Sequence, residues 1–129
     1  DRDGRNALHN SIFQKDVEKS IELIESGKFD LNQQDNNGYS ALHAASQSLL
    51  VPVVVKLIEN SALINLQDSW GNPPILRALG SKPENEKIIE LLLAAGADIK
   101  IENYSGNSVA SHVGKLKGHP NYEQLKKYS

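Results

Sequence analysis

Residues 35–67 read DNNGYSALHAASQSLLVPVVVKLIENSALINLQ. Asp35-Asn36-Asn37-Gly38 is a polar triplet closed by glycine. That is tight-turn composition, because glycine takes positive φ without Cβ strain. Ser40 then stands where a helix N-cap is needed. The short helix expected over Ala41 to Ser48 carries Ala44 and Ala45, which let neighbouring helices approach closely. Pro52 opens a second helix, since a first-turn proline gives up an N–H that has no helical partner. Its Val53, Val54, Leu57 and Ile58 recur at helical spacing. Leu63-Ile64-Asn65 makes the return. The unit is a turn, a short helix, a longer helix and a loop.

The unit recurs along the chain. Gly4, Gly38, Gly71 and Gly106 are separated by 34, 33 and 35 residues, and a near-constant period of this size marks a stacked solenoid. Each glycine closes a polar triplet: Asp1-Arg2-Asp3, Asp35-Asn36-Asn37, Asp68-Ser69-Trp70 and Asn103-Tyr104-Ser105. Asn6 and Ser108 are further N-caps, and Pro73-Pro74 fills that place in the third unit. First helices are expected over Ala7 to Phe13, Pro74 to Leu79 and Val109 to Leu116. Second helices carry Val17, Ile21, Leu23 and Ile24, then Ile88, Ile89, Leu91, Leu92 and Leu93, and stop at Gly27 and Gly96. The units fall at about 1–34, 35–67 and 68–102, with a partial, more polar cap at 103–129, all in one domain of residues 1–129. One unit alone cannot bury its apolar side. Stacking buries it between neighbours, and three or more units are needed.

Gly38-Tyr39-Ser40-Ala41-Leu42-His43-Ala44-Ala45, Gly4-Arg5-Asn6-Ala7-Leu8-His9 and Leu91-Leu92-Leu93-Ala94-Ala95-Gly96-Ala97-Asp98-Ile99 resemble the ankyrin-repeat family. The resemblance covers essentially the whole chain. It implies an all-α solenoid of stacked helix-turn-helix units joined by β-turn or hairpin loops. It also implies that the turns and first helices form a concave surface that grips partner proteins. By the same resemblance, His9 and His43 hydrogen-bond across the turn and to the neighbouring unit. The chain departs from the pattern where Leu76 and Ser111 replace that histidine and Val109-Ala110 replaces Pro-Leu. It also carries about two extra residues around Gly80 to Asn85, between the helices of the third unit.

The totals narrow the classes. Of the 129 residues, 39% are hydrophobic and 5% aromatic, so the core is expected to be Leu, Ile, Val and Ala. A net charge of −2 makes no case for nucleic acid or an anionic membrane. With 0 Cys there is no disulfide, thiolate metal site or Cys nucleophile. The compartment stays open, with the cytoplasm as a working expectation. With 0 Met the chain is expected to be a segment of a longer product, and further units upstream of Asp1 are part of that expectation. Leu49 to Val55 is interrupted by Pro52 and far too short to span a bilayer.

No HExxH, Walker loop, GxSxG or GxGxxG pattern occurs, and no catalytic residue, metal or cofactor is expected. Asp1, Asp35 and Asp68 recur at unit starts and read as turn formers. His112 and His119 read as surface residues, and Lys115, Lys117, Lys126 and Lys127 as a solvated basic cap. Asn103-Tyr104-Ser105 matches the glycosylation acceptor pattern, which short sequences also match by chance. The sharper signal is aromatic. Trp70, the single Trp, falls at a turn tip, with Tyr39 and Tyr104 on neighbouring turns and Phe13 near the inner end of a first helix. Exposed aromatics are typical of interface hot spots, and the competing reading folds Trp70 over Pro73 and Pro74. The expected partner-binding set is Arg5, Phe13, Asn36, Asn37, Tyr39, Gln47, Ser69, Trp70, Asn72 and Tyr104, on a polar face of mixed charge. The chain then reads as a non-enzymatic protein–protein interaction module, expected to be a monomer. The alternative is an inhibitor or immunity-type protein that blocks the active site of a cognate enzyme or toxin. Small size, mild acidity and the insertion at Lys82 to Asn85 favour it.

Overall fold

A computed structural model describes residues 2–128. Asp1, the first residue of the first expected turn, lies outside them. In chain order the helices are α1 (Ala7–Phe13), α2 (Val17–Glu25), α3 (Ala41–Gln47), α4 (Val51–Glu59), α5 (Pro74–Arg77), α6 (Pro83–Ala94) and α7 (Val109–His112). A 3-10 turn, Val113–Leu116, and α8 (Tyr122–Tyr128) follow. The described residues form no strand, so the architecture is the expected all-α stack. α1, α3 and α5 pack side by side in one layer, and α2, α4 and α6 in a second.

The local signals act as physics requires. Asn6 Oδ1 accepts the His9 N–H at 2.9 Å, and Ser40 Oγ accepts that of His43 at 3.3 Å, which satisfies helix-end donors. α2 ends at Glu25, and Gly27 turns the chain with φ +69°. Between the layers, Leu42, Leu57, Ile75, Ile88, Ile89 and Leu92 are fully buried in one cluster that runs from Leu8 to Leu125. Each such side chain contributes roughly 1.5–3 kcal/mol on leaving water.

Neighbouring turns are tied tip to tip. The Asn36 N–H donates to Asp3 O at 2.7 Å, Ser69 N–H to Asn37 O at 2.9 Å, and Tyr104 N–H to Trp70 O at 3.0 Å. At Gly38 (φ +75°) a Cβ would sit 2.5 Å from the Ser69 nitrogen, so the next turn fits only against glycine. The histidines add a second tie. His9 Nε2–H donates to Tyr39 O at 2.8 Å and His43 Nε2–H to Asn72 O at 2.7 Å. Their Nδ1 atoms accept the N–H of Asn6 and Ser40. One imidazole thus closes its own helix start and holds the next unit.

The third unit and the cap differ from expectation. α5 stops at Arg77 instead of Leu79, and α7 gives way to the 3-10 turn after His112. The insertion does not stand free. Pro83 to Asn85 begin α6, which has 12 residues against 9 in α2 and α4. Asn85 is buried, with Nδ2 donating to Ala78 O at 2.8 Å. His119 is half-buried rather than a plain surface residue. Its Nε2–H donates to Gly80 O, and its Nδ1 accepts Asn121 N–H. Asn121 reaches Glu86 O at 3.3 Å and Leu125 is fully buried. The basic tail is therefore anchored through one face of α8.

Candidate protein-binding face

Each turn is built around a buried carboxylate. Asp35 Oδ1 accepts the N–H groups of Asn37 at 2.8 Å and Tyr39 at 2.9 Å. Asp68 Oδ1 accepts those of Trp70 and Asn72, both at 2.9 Å. Both aspartates are buried and serve as turn formers. A carboxylate out of water needs a partner for its second oxygen. Asp68 Oδ2 receives Arg77 Nη2 at 2.8 Å and Nε at 2.9 Å, while Asp35 Oδ2 faces Arg5 Nε at 3.6 Å.

Those two arginines organise the aromatic side chains. The Arg5 guanidinium lies 4.1 Å from the Phe13 ring centre. Phe13 stacks on Tyr39 at 6.3 Å and 26°, and Tyr39 on His43 at 5.6 Å and 21°. The Arg77 guanidinium sits 5.2 Å from the Tyr39 ring and 5.4 Å from the Trp70 ring. The result is a row, Arg5–Phe13–Tyr39–Arg77–Trp70, that crosses three units through cation–π and stacking contacts.

The expected binding residues separate on this geometry. Trp70 keeps 53% of its surface in solvent and Tyr104 74%. Their turns touch through the Tyr104 N–H···Trp70 O bond, so the two aromatics stand on adjacent tips. Trp70 leans on Arg77 with its ring more than half open. Tyr39 overturns the expectation of exposure: it is 8% exposed. Its ring lies between Phe13 and His43, and its O–H donates to Gln47 Oε1 at 2.6 Å. Burial pushes its phenol above the usual range. Phe13 is half-buried beneath Arg5. Gln47, Asn36, Asn37 and Ser69 are exposed, while Asn36 also binds Arg2 O at 2.8 Å. Asn72 works inside the stack: its O takes His43 and its Oδ1 takes Asn103 Nδ2 at 2.9 Å. That last bond engages the nitrogen a glycan would need, and Asn103 Oδ1 is held by the N–H groups of Ser105 and Asn107.

Arg77 is missing from the expected set. It occupies the place that Ala44 holds in unit two, so a long cation in a small-residue position was the available signal. Burial lowers the pKa of His43 and keeps its imidazole neutral. Among the described residues no three His, Asp or Glu side chains gather at metal-binding range, and no closed pocket opens on the face. No described helix is long and apolar enough to cross a membrane.

A family model described as ankyrin repeats, in three copies, matches residues 21–103. The B-cell lymphoma 3 protein homolog of Mus musculus is 30% identical over 112 residues, covering 84% of this chain and 25% of the relative. A putative ankyrin repeat protein of fowlpox virus is 25% identical, covering 92% of this chain and 22% of the relative. The nuclear factor NF-kappa-B p105 subunit of Rattus norvegicus is 30% identical over 117 residues, covering 85% of this chain and 12% of the relative. The chain thus spans a quarter or less of the curated relatives it matches.

Proposed function

Because the chain belongs to the ankyrin-repeat family, a non-catalytic fold for protein–protein interaction, we propose that it holds a partner protein on its turn tips and first-helix face. Trp70 and Tyr104 are the apolar anchors. Asn36, Asn37, Ser69 and Gln47 form the polar surround, and Arg5, Phe13 and Arg77 lie beneath. The observation that carries this reading is the pair of exposed aromatics on adjacent tips whose backbones are hydrogen-bonded. Rigid presentation limits the ordering entropy lost on binding, which favours affinity. Tyr39 supports the face from below and makes no direct contact. Blocking an enzyme's active site is one use of such a surface. The insertion that favoured it is occupied within the stack: Gly80 O accepts from His119 of the cap, and Asn85 Nδ2 donates to Ala78 O.

The test is affinity capture from native lysate, followed by calorimetry of the identified partner with the chain and with Trp70→Ala. The expected loss is about 2 kcal/mol, or roughly thirtyfold in Kd, at unchanged melting temperature. Unchanged affinity with a lowered melting temperature would make Trp70 a packing residue and sink the reading.

A further inference from the structure

Residue 77 departs from its repeat. The same place on the first helix is Asn10 in unit one and Ala44 in unit two, and in unit three it holds a long cation. The Arg77 guanidinium is engaged in three directions. Nη2 and Nε meet Asp68 Oδ2 at 2.8 and 2.9 Å. The group also lies 5.4 Å from the centre of the Trp70 ring and 5.2 Å from that of Tyr39. Asp68 in turn accepts the Trp70 N–H on Oδ1 at 2.9 Å. One ion pair therefore holds both the backbone and the ring of Trp70. The second turn is built otherwise: its Asp35 faces Arg5 of the preceding unit, at 3.6 Å.

We propose that Arg77 is the positioning residue of the binding face: it fixes the Trp70 ring before a partner arrives and does not itself touch that partner. The proposal rests on the protein-binding reading and adds how its main anchor is ordered. An exposed side chain hops between rotamers on the picosecond to nanosecond scale, and stilling it on binding opposes affinity. Two bonds to a buried carboxylate fix the plane of the guanidinium, and a fixed flat cation is a platform for an indole face. Lysine would keep the charge and lose both the fork and the flat face. Arg77 offers a partner little, since its side chain keeps 24% of its surface and two of its nitrogens are bonded to Asp68.

Trp70 is the single Trp, so time-resolved fluorescence anisotropy of the full chain reads this ring alone, with no partner present. The native ring should turn with the whole molecule. Arg77→Lys keeps a cation beside Asp68 and should at least about double the amplitude of sub-nanosecond motion while the helices stay folded. Arg77→Ala would strand a buried carboxylate and risks unfolding. The second variant is therefore Asp68→Asn/Arg77→Met, which removes both charges, keeps the Oδ1 acceptor and should free the ring as well. Should it fail to fold, Arg77→Lys decides alone. A ring already mobile in the native chain overturns the proposal, as does a ring that stays still in either folded variant. In calorimetry with the captured partner, Arg77→Lys should weaken binding about fivefold and cost nothing further once Trp70 is replaced by Ala. An equal loss in both backgrounds would mean that Arg77 meets the partner directly, and overturns the positioning role. A still ring in Arg77→Lys with binding that depends on Trp70 sinks this proposal alone. Binding indifferent to Trp70→Ala sinks the reading beneath it.

Discussion

The joint between units two and three and the joint between unit three and the cap share one period and use different ties. At the first, His43 sits within the helix start, takes the Ser40 N–H on Nδ1 and donates from Nε2 to Asn72 O. At the second, Leu76 occupies the histidine position and packs half-buried on the core. The histidine tie comes instead from His119, 39 residues beyond its acceptor Gly80. The tip-to-tip backbone bond persists at both joints. A repeat stack can therefore lose its regular side-chain tie where a later segment supplies another. The replacement then depends on that segment staying docked.

The largest effect should come from the shared core. Leu57→Ala, at a fully buried position, should cost about 2–5 kcal/mol of global stability in urea denaturation. Leu125→Ala should free α8 and expose the Gly80–Asn85 segment to hydrogen exchange while units one and two stay protected, since repeats couple mainly to neighbours. If both variants lose protection evenly along the chain, the contrast between the joints fails.

Next is the turn contact. Gly38→Ala puts a Cβ in the left-handed region and 2.5 Å from the Ser69 nitrogen, so it should cost more than about 2 kcal/mol. Gly27→Ala has the same sign of φ with nothing within 4 Å and should cost about 1 kcal/mol. Equal losses in thermal melts would show that turn-to-turn packing adds nothing.

The histidine tie has a pH signature. Because burial lowers the folded pKa of His43, the unfolded chain binds its proton more readily. Its contribution is then full above the unfolded pKa of about 6.5 and is lost as pH falls below it. The urea midpoint should drop between about pH 7.5 and pH 5, and His43→Ala should flatten that slope while costing about 1–3 kcal/mol at neutral pH. An unflattened slope would assign the titration elsewhere. The smallest effect runs the other way. Lys15 stands exposed at φ +60°, so Lys15→Gly should gain stability by up to about 1 kcal/mol in a melting experiment.

The repeat, its caps and its stop signals were legible in the chain because they are local. Glycine at a left-handed turn, Asn6 and Ser40 at N-caps and apolar residues at helical spacing act within a few positions. The roles of His9 and His43 followed from the family resemblance and are visible as inter-unit bonds. The candidate face was legible only in part. Trp70 and Tyr39 each follow or precede a turn glycine, yet one is 53% exposed and the other 8%. They stand on opposite sides of the glycine, and what covers Tyr39 is Phe13 of the preceding unit and His43 of its own helix. The cap latch was likewise out of reach, because it joins residues of different units, and Arg77 showed only as a long cation in a small-residue position.

The sequence by itself determined the period, the all-α stack and the family, since those rest on short-range geometry repeated often enough to be unmistakable. Only the tertiary structure decided which aromatics face solvent and which carboxylates are withdrawn beneath arginines. It alone placed His119 on the third unit. Burial is set by what the neighbouring unit brings against a side chain, and that neighbour stands about thirty to forty positions away.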